Sequence, residues 1–394
     1  MRTLLINGTV FTGLTDSFEE NLAVLIEGDR ISSVDIQSQL ISSFPEIRRI
    51  DLNGKVLLPG LVDAHRHLIG YTEAIATTDV IVTGAVEGVR VALDSLRSGI
   101  TTIRDPGCKH MGVFTLKRLI NEGFIPGPHI YAAGPNPTGA AAPEGWRNIW
   151  VDGETEMRHA VRELKRNGVD WIKFVVSCQS RKDLWSRTDK FLTFEELKAG
   201  VKEAHQYGYR VSGHVEGLDG AQAAVEAGFS AIEHGTVIDE ALAEKMAAAG
   251  VFYVPTLFAF DSMSVQEEPL LPHEVDAFNR RASEHKQSFQ RALAAGVRIA
   301  VGTDMYRLPA LDAYVNELKM LTRYGMSNAQ ALRAATVTGA AILGEEYVFG
   351  AIAPGMRADL IAVEGNPLQD LEALLNISLV IKSGKEINLP SNAE

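Results

Sequence analysis

Residues 57–68 read Leu-Leu-Pro-Gly-Leu-Val-Asp-Ala-His-Arg-His-Leu, an apolar, strand-like run that closes on His65-Arg66-His67. Side chains two apart on a strand point the same way, so one short strand can aim two imidazoles at a single metal ion. A lone His-x-His pair is a weak signal. It gains weight from four later residues in order, Lys173, His214, His234 and Asp304, each in or just after another apolar, strand-like run.

Outward from that stretch, strand-like runs alternate with helix-like ones. The strands are expected at 61–67, 101–104, 130–133, 171–176, 210–214, 231–234, 252–255 and 298–302. Segments with helical apolar spacing separate or follow them, at 86–96, 113–121, 155–166, 194–206, 218–227, 239–249, 276–295 and 328–343. Glycines stand after several of these, as C-terminal caps do (Gly99, Gly123, Gly168, Gly208, Gly228, Gly250, Gly296). Such alternation predicts a parallel sheet with helical crossovers, and its length suits a (β/α)₈ TIM barrel. A doubly wound open sheet is the alternative, but no Gly-x-Gly-x-x-Gly joins a strand to a helix, so a dinucleotide site is not indicated. Both chain ends instead carry short strands and tight turns, such as Asn53-Gly54 and Lys382-Ser383-Gly384-Lys385. The expected architecture is α/β: a barrel over 58–349 and a small β-sandwich domain built from both termini, 1–57 and 350–394.

Composition narrows the function. The 394 residues are 46% apolar and 22% charged, the balance of a globular protein with a large core. A net charge of −12, with no basic stretch interleaved with aromatics, argues against nucleic acid as a partner. The two cysteines, Cys108 and Cys178, make neither a disulfide framework nor a Cys-x-x-Cys site. The N-terminus lacks the apolar core of a signal peptide, and no apolar run approaches the roughly 18 residues of a membrane span. The expectation is a cytoplasmic protein that acts on a small molecule.

In a (β/α)₈ barrel the chemistry sits at the C-terminal ends of the strands, where most of these residues fall, Lys173 lying within the fourth strand. Imidazole and carboxylate suit Zn²⁺ and neighbouring divalent ions. His65, His67, Lys173, His214, His234 and Asp304 are more ligand-type residues than one tetrahedral ion needs, so two ions are expected, zinc first among them. A lysine ammonium would repel a metal. A neutral amine buried nearby can take up CO₂ to form a carbamate, whose two oxygens can bridge two cations. Singly, each residue has an ordinary reading: Lys173 an ion-pair partner, Asp304 a cap, His214 and His234 core histidines. Their joint occurrence on successive strands favours the metal site. His110, His129, His159, His205, His273 and His285 stand in no comparable context.

These residues resemble the amidohydrolase superfamily, in particular its imidazolonepropionase-like and Xaa-Pro dipeptidase (prolidase-like) group. The matching elements are Pro59 to His67, Gly99-Ile100-Thr101-Thr102-Ile103-Arg104-Asp105, Asp170-Trp171-Ile172-Lys173, His214, Ile232-Glu233-His234-Gly235 and Gly302-Thr303-Asp304. Ala331 to Thr336 and Gly350 to Leu360 look like the family's closing helix and its return to the sheet domain. The resemblance implies a metal-dependent hydrolase that cleaves an amide or peptide-like C–N bond, in an N-acyl amino acid or dipeptide. His65, His67 and Asp304 would hold the more buried ion, and His214 and His234 the more exposed one. Carboxylated Lys173 would bridge them. A metal-bridging hydroxide would attack the carbonyl, with Asp304 as general base and then acid. A mononuclear deaminase or cyclic-amide (imidazolone-type) hydrolase on the same barrel is the alternative. Such members usually replace the strand-four lysine, which this chain keeps. The family's habit of homo-oligomers carries over as an expectation.

Three positions depart from the group's pattern, all where substrate would bind. Glu216 stands where an aromatic or imidazole is usual, Ser177-Cys178-Gln179 replaces a Ser-Gly-Gly turn, and no Gly-Gly-His follows strand three. Arg181, with Lys182 and Arg187, is the candidate for a substrate carboxylate, although a solvated basic loop is an equal reading. Tyr306 and Arg307 are candidates for the pocket mouth.

Overall fold

The computed structural model describes residues 2–69, 78–108, 111–142, 148–179, 188–263, 269–305 and 309–388. The expected strands form as Leu61–Asp63, Ile100–Asp105, His129–Ala132, Ile172–Gln179, Val211–Val215, Ala231–His234, Phe252–Val254 and Arg298–Ile299. They pair in parallel, but they do not close one continuous ladder. Leu61–Asp63, Ile100–Asp105 and His129–Ala132 form a three-stranded arc. The other five lie in order in a larger sheet.

The first seam has a local cause. The third strand is broken at Gly134, in the left-handed region at φ +71°, and by Pro135, which has no N–H to give a ladder. Before the break the chain pairs with Ile100–Asp105. After it, Asn136–Gly139 pairs with Ile172–Gln179 and with the additional strand Asn148–Val151. One backbone bond, Asp170 N–H to Ala132 O at 2.9 Å, crosses this seam. At the second seam the last strand ends at Ile299. Ala64 N–H donates to Val301 O at 2.8 Å, and Asp304 N–H donates to His65 O at 2.6 Å.

The helices mostly match the spacing: Thr78–Arg97, Gly112–Asn121, Glu154–Arg166, Phe194–Gln206, Leu218–Ala227, Glu240–Ala249 and Pro272–Ala294. Their starts carry the expected chemistry. Thr193 and Glu196 form a reciprocal capping box, and Asp239 accepts from Leu242 N–H. The single helix expected over 328–343 is two, Asn328–Ala334 and Val337–Leu343. Between them the carbonyl of Ala335 accepts from Val62 N–H at 2.8 Å, which ties the break to the first strand. Helix Ala310–Arg323 was not expected. Its buried stripe of Ala310, Ala313, Tyr314, Leu318 and Leu321 also contains Glu317, a charge that obscures the apolar spacing.

The termini form two further sheets. Arg2–Ile6, Leu22–Glu27, Arg30–Ile36 and Arg48–Asp51 make one. The other joins Thr9–Val10 and Val56–Pro59 to Leu360–Val363, Ile377–Lys382 and Lys385–Glu386, so strands from opposite chain ends pair directly. Leu5, Val24, Ile26, Leu57, Leu360, Ala362 and Ile381 are buried in one apolar cluster drawn from both sheets. No helix among the described residues is long and apolar enough to cross a membrane.

Candidate metal centre

Six side chains contributed by five strands and the segments that follow them line one cavity of about 210 Å³: His65, His67, Lys173, His214, His234 and Asp304. Asn136, Val175, Cys178, Glu216 and Phe260 complete its wall. The hydrogen bonds around each imidazole determine which nitrogen carries the proton, and so which lone pair remains for a metal.

Nδ1 of His65 lies 2.8 Å from Oε2 of Glu233, a carboxylate that can only accept when ionised, so the ring's lone pair is on Nε2. Nδ1 of His67 lies 2.9 Å from the carbonyl of Gly107, which likewise places its lone pair on Nε2. For His234 the partner is Oγ1 of Thr256, 2.7 Å from Nδ1. That hydroxyl donates its own proton to Pro255 O at 2.6 Å, so it accepts from Nδ1–H and leaves the lone pair on Nε2. His214 is turned the other way: its Nε2 lies 3.1 Å from Oε1 of Glu216, and its lone pair is on Nδ1.

The rings are close. His214 and His234 have centroids 4.4 Å apart, His65 and His234 4.9 Å, and His65 and His67 5.5 Å. Oδ1 of Asp304 is 3.1 Å from Nε2 of His67 and 3.4 Å from Nε2 of His65. Nζ of Lys173 is 3.4 Å from the same Nε2 of His65. Donor atoms of His65, His234 and Asp304 all lie within 4.8 Å of one another, as do those of Cys178, His214 and Glu216. The structure therefore sets Cys178 and Glu216, two of the positions that depart from the group's pattern, beside His214.

Electrostatics follow from burial. Burial holds His234 well below the ordinary imidazole range, reinforced by His214 beside it. Burial also lowers His214, against the pull of Glu216. At Asp304 burial would raise the carboxyl, but His65, His67 and His234 together hold it well below the usual carboxylate range. His214 and His234 are thus held neutral beside an ionised Asp304, the protonation states that metal ligands need. Donor types and tautomers fit one or two divalent cations.

The supporting residues are equally ordered. Glu233 is wholly buried, and its Oε1 accepts from Nη2 of Arg104 at 2.6 Å. Burial works to raise its carboxyl, but Arg104 and His65 bring it down to about 2. Arg104 also donates from Nε to Ala64 O at 2.5 Å and stacks over Trp171 at 4.8 Å. Asp63 accepts from Thr303 N–H at 3.0 Å, from the Thr303 hydroxyl at 2.7 Å and from His65 N–H at 3.2 Å, which joins the His-Arg-His stretch to the turn bearing Asp304. Arg66 points away from the site, fully buried, with Nη1 3.4 Å from Oγ1 of Thr303.

Of the substrate candidates, Glu216 lines the cavity. Arg181, Lys182, Arg187, Tyr306 and Arg307 lie outside the described residues. Sequence reading gave no role to Arg104, Glu233, Thr256, Phe260 or His285. For Arg104 and Glu233 a signal existed, since a charge within an apolar strand needs a buried partner. His285 is fully buried, with Nε2 2.8 Å from the carbonyl of His234.

The chain is similar to known proteins over most of its length. The model of the amidohydrolase family matches residues 56–387. Ochratoxinase of Aspergillus niger is 31% identical over 92% of this chain and 82% of its own. An imidazolonepropionase of Deinococcus deserti is 23% identical over 84% of this chain and 83% of its own. Among solved structures, a Xaa-Pro dipeptidase with methionine bound in its active site superposes with a TM-score of 0.85 at 29% identity, covering 98% of this chain and all (100%) of that one. Ochratoxinase itself superposes with a TM-score of 0.83 at 27% identity, covering 98% of this chain and 95% of that one. Matched from the sheet of its N-terminal region almost to its last residues, the chain belongs to the amidohydrolase family and is a hydrolase of carbon–nitrogen bonds.

Proposed function

We propose that this protein hydrolyses an amide or peptide-like bond in an N-acyl amino acid or dipeptide, at a centre of two divalent cations, with zinc the first choice. The observation that carries this reading is the meeting of four tautomer-fixed imidazoles, Asp304 and Lys173 around one cavity. The likeness to a Xaa-Pro dipeptidase and to ochratoxinase supports the substrate class. His65, His67 and Asp304 would hold one cation, His214 and His234 the other. Lys173, carboxylated, would supply two oxygens between them. Its burial among imidazoles supports a neutral amine able to take up CO₂.

Bound cations would polarise the scissile carbonyl and lower the pKa of the attacking water. The chain's own residues do the rest. Asp304, ionised at neutral pH, would accept the water's proton and pass it to the leaving nitrogen. Glu233, Gly107 O, Thr256 and Glu216 keep the four rings in one tautomer, so no reorganisation is needed as charge develops. Phe260, stacked on His234 at 4.4 Å, gives the cavity an apolar wall. We further read the two arcs of strands as a (β/α)₈ barrel over 58–349. The two terminal sheets form a β-sandwich over 1–57 and 350–394, supported by their shared apolar cluster.

The test is to incubate zinc-loaded protein with dipeptides, N-acyl amino acids, cyclic imides and amino-heterocycles, reading products by mass spectrometry and metal content by elemental analysis. Cleavage of a dipeptide or N-acyl amino acid, with about two ions per chain, is the expected result. The imidazolonepropionase likeness favours a second reading, a cyclic-amide hydrolase or deaminase. Ring opening or ammonia release would select it over the first.

A further inference from the structure

His234 has a left-handed backbone, φ +68°, at the end of its strand. Any residue other than glycine is strained there, and the conformation persists only when its surroundings hold it. Its carbonyl is held twice: the Tyr253 hydroxyl donates to it at 2.9 Å, and Nε2–H of His285 donates to it at 2.8 Å. His285 is fully buried in the helix Pro272–Ala294, 51 residues further along the chain. Its other nitrogen, Nδ1, lies 2.8 Å from Oδ1 of Asp261 in the short helix Leu257–Asp261. The residue before Asp261 is Phe260, whose ring stacks on that of His234 at 27° between planes. The N-terminus of this short helix is fastened by Glu317, which accepts from Leu257 N–H at 3.0 Å and Phe258 N–H at 2.7 Å.

A carbonyl only accepts, so Nε2 of His285 must carry a proton, and a second proton shared between Nδ1 and Oδ1 of Asp261 makes that contact a hydrogen bond and keeps the ring from turning. From this geometry we infer that His285, oriented by Asp261, is a positioning residue for His234. It grips the carbonyl of the left-handed turn that presents His234 to the cavity. This rests on the proposed role of His234 as a cation ligand, and it gives a histidine outside every motif a function at the centre.

The test compares full-length wild type, His285→Gln and His285→Leu by competition for zinc with a chromogenic chelator, and by the melting temperature of the metal-free proteins. The Gln amide keeps an N–H donor for the carbonyl. The Leu side chain fills the space with none. The Leu variant should lose roughly 10–100-fold in retention of one ion while the other is held as in wild type, and Gln should stay within a few-fold of wild type. A Leu variant that melts lower but holds both ions like wild type would overturn the inference. So would a Gln variant as weak as Leu. If the Leu variant does not fold, Tyr253→Phe removes the other donor to the same carbonyl and should weaken the same single ion; unchanged retention there overturns the inference too. Wild type that binds no divalent ion would sink the metal reading itself, and this inference with it. Wild type with two ions and insensitive variants would sink this inference alone.

Discussion

Nδ1 of His65 sits 2.8 Å from Oε2 of Glu233, and the other oxygen of that carboxylate is 2.6 Å from Nη2 of Arg104, all three side chains being buried. The chain has placed a full ion pair beneath the candidate centre, where each charge depends on the other. Glu233→Gln would leave the guanidinium of Arg104 buried without its counter-charge. Breaking such a pair from one side costs about 3–5 kcal/mol. Urea denaturation of the metal-free variant should show a loss of that size. A loss under about 1 kcal/mol would mean that the site relaxes around a neutral partner.

Lys173 lies within 3.4 Å of His65 Nε2. Lys173→Ala should lower hydrolysis by on the order of 10²–10³-fold or more, as removal of a main electrostatic group does. It should also drop the bound metal below two ions per chain. Full activity with one ion bound would show that the lysine is not part of the centre. Dialysis against a chelator should abolish wild-type activity, and zinc should restore it.

How much of this could be read beforehand depends on how local each signal is. His65 and His67 were legible because a strand's two-residue repeat is a local rule. Lys173, His214, His234 and Asp304 were legible because each lies in or just after its own apolar run. The break in the third strand was also written locally, in Gly134-Pro135, but its consequence was not. Whether Asn136–Gly139 pairs with the following strand depends on a partner more than 30 residues away. His285 is the limiting case. Nothing near it in sequence marks it, and its role comes from a carbonyl 51 residues distant. Glu216 was seen as a departure from the family's pattern. Its contact with His214 is an i, i+2 pair like that of His65 and His67, so the same rule contained it.

Gly302 precedes the turn that carries Asp304. A Cβ built there would meet Cγ1 of Val254 at 2.5 Å and Cβ of His65 at 2.6 Å, with the His65 backbone nitrogen at 3.1 Å. These neighbours are buried strand ends with no room to yield. Gly302→Ala should destabilise the fold by about 1–3 kcal/mol through overpacking. It should also push His65 off its position, so that catalytic efficiency falls more than stability alone explains. Comparing denaturation midpoints with kcat/KM at a temperature where the variant is fully folded separates the two effects. Unchanged kcat/KM in a folded variant would mean that the strand moves as a unit without disturbing the imidazole.

The acid limb of stability should report Asp359, which is outside the cavity lining and precedes the strand Leu360–Val363. Burial would raise its carboxyl. His129 at 3.4 Å, Arg357 at 2.5 Å and Ser383 N–H at 2.7 Å outweigh burial and bring it down to about 2. A carboxylate whose folded value lies below its unfolded one stabilises the native state above the unfolded value, and that contribution is lost as pH falls through the folded one. The window therefore runs from about pH 4 down to about pH 2, and the contribution at neutral pH is about 2 kcal/mol. Asp359→Asn should be less stable than wild type by about that amount at neutral pH, and the two should converge as pH approaches 2. Parallel denaturation curves at neutral and acid pH would check this. A gap that stays constant across the window would mean that Asp359 contributes through its hydrogen bonds and packing alone, since only the charge titrates.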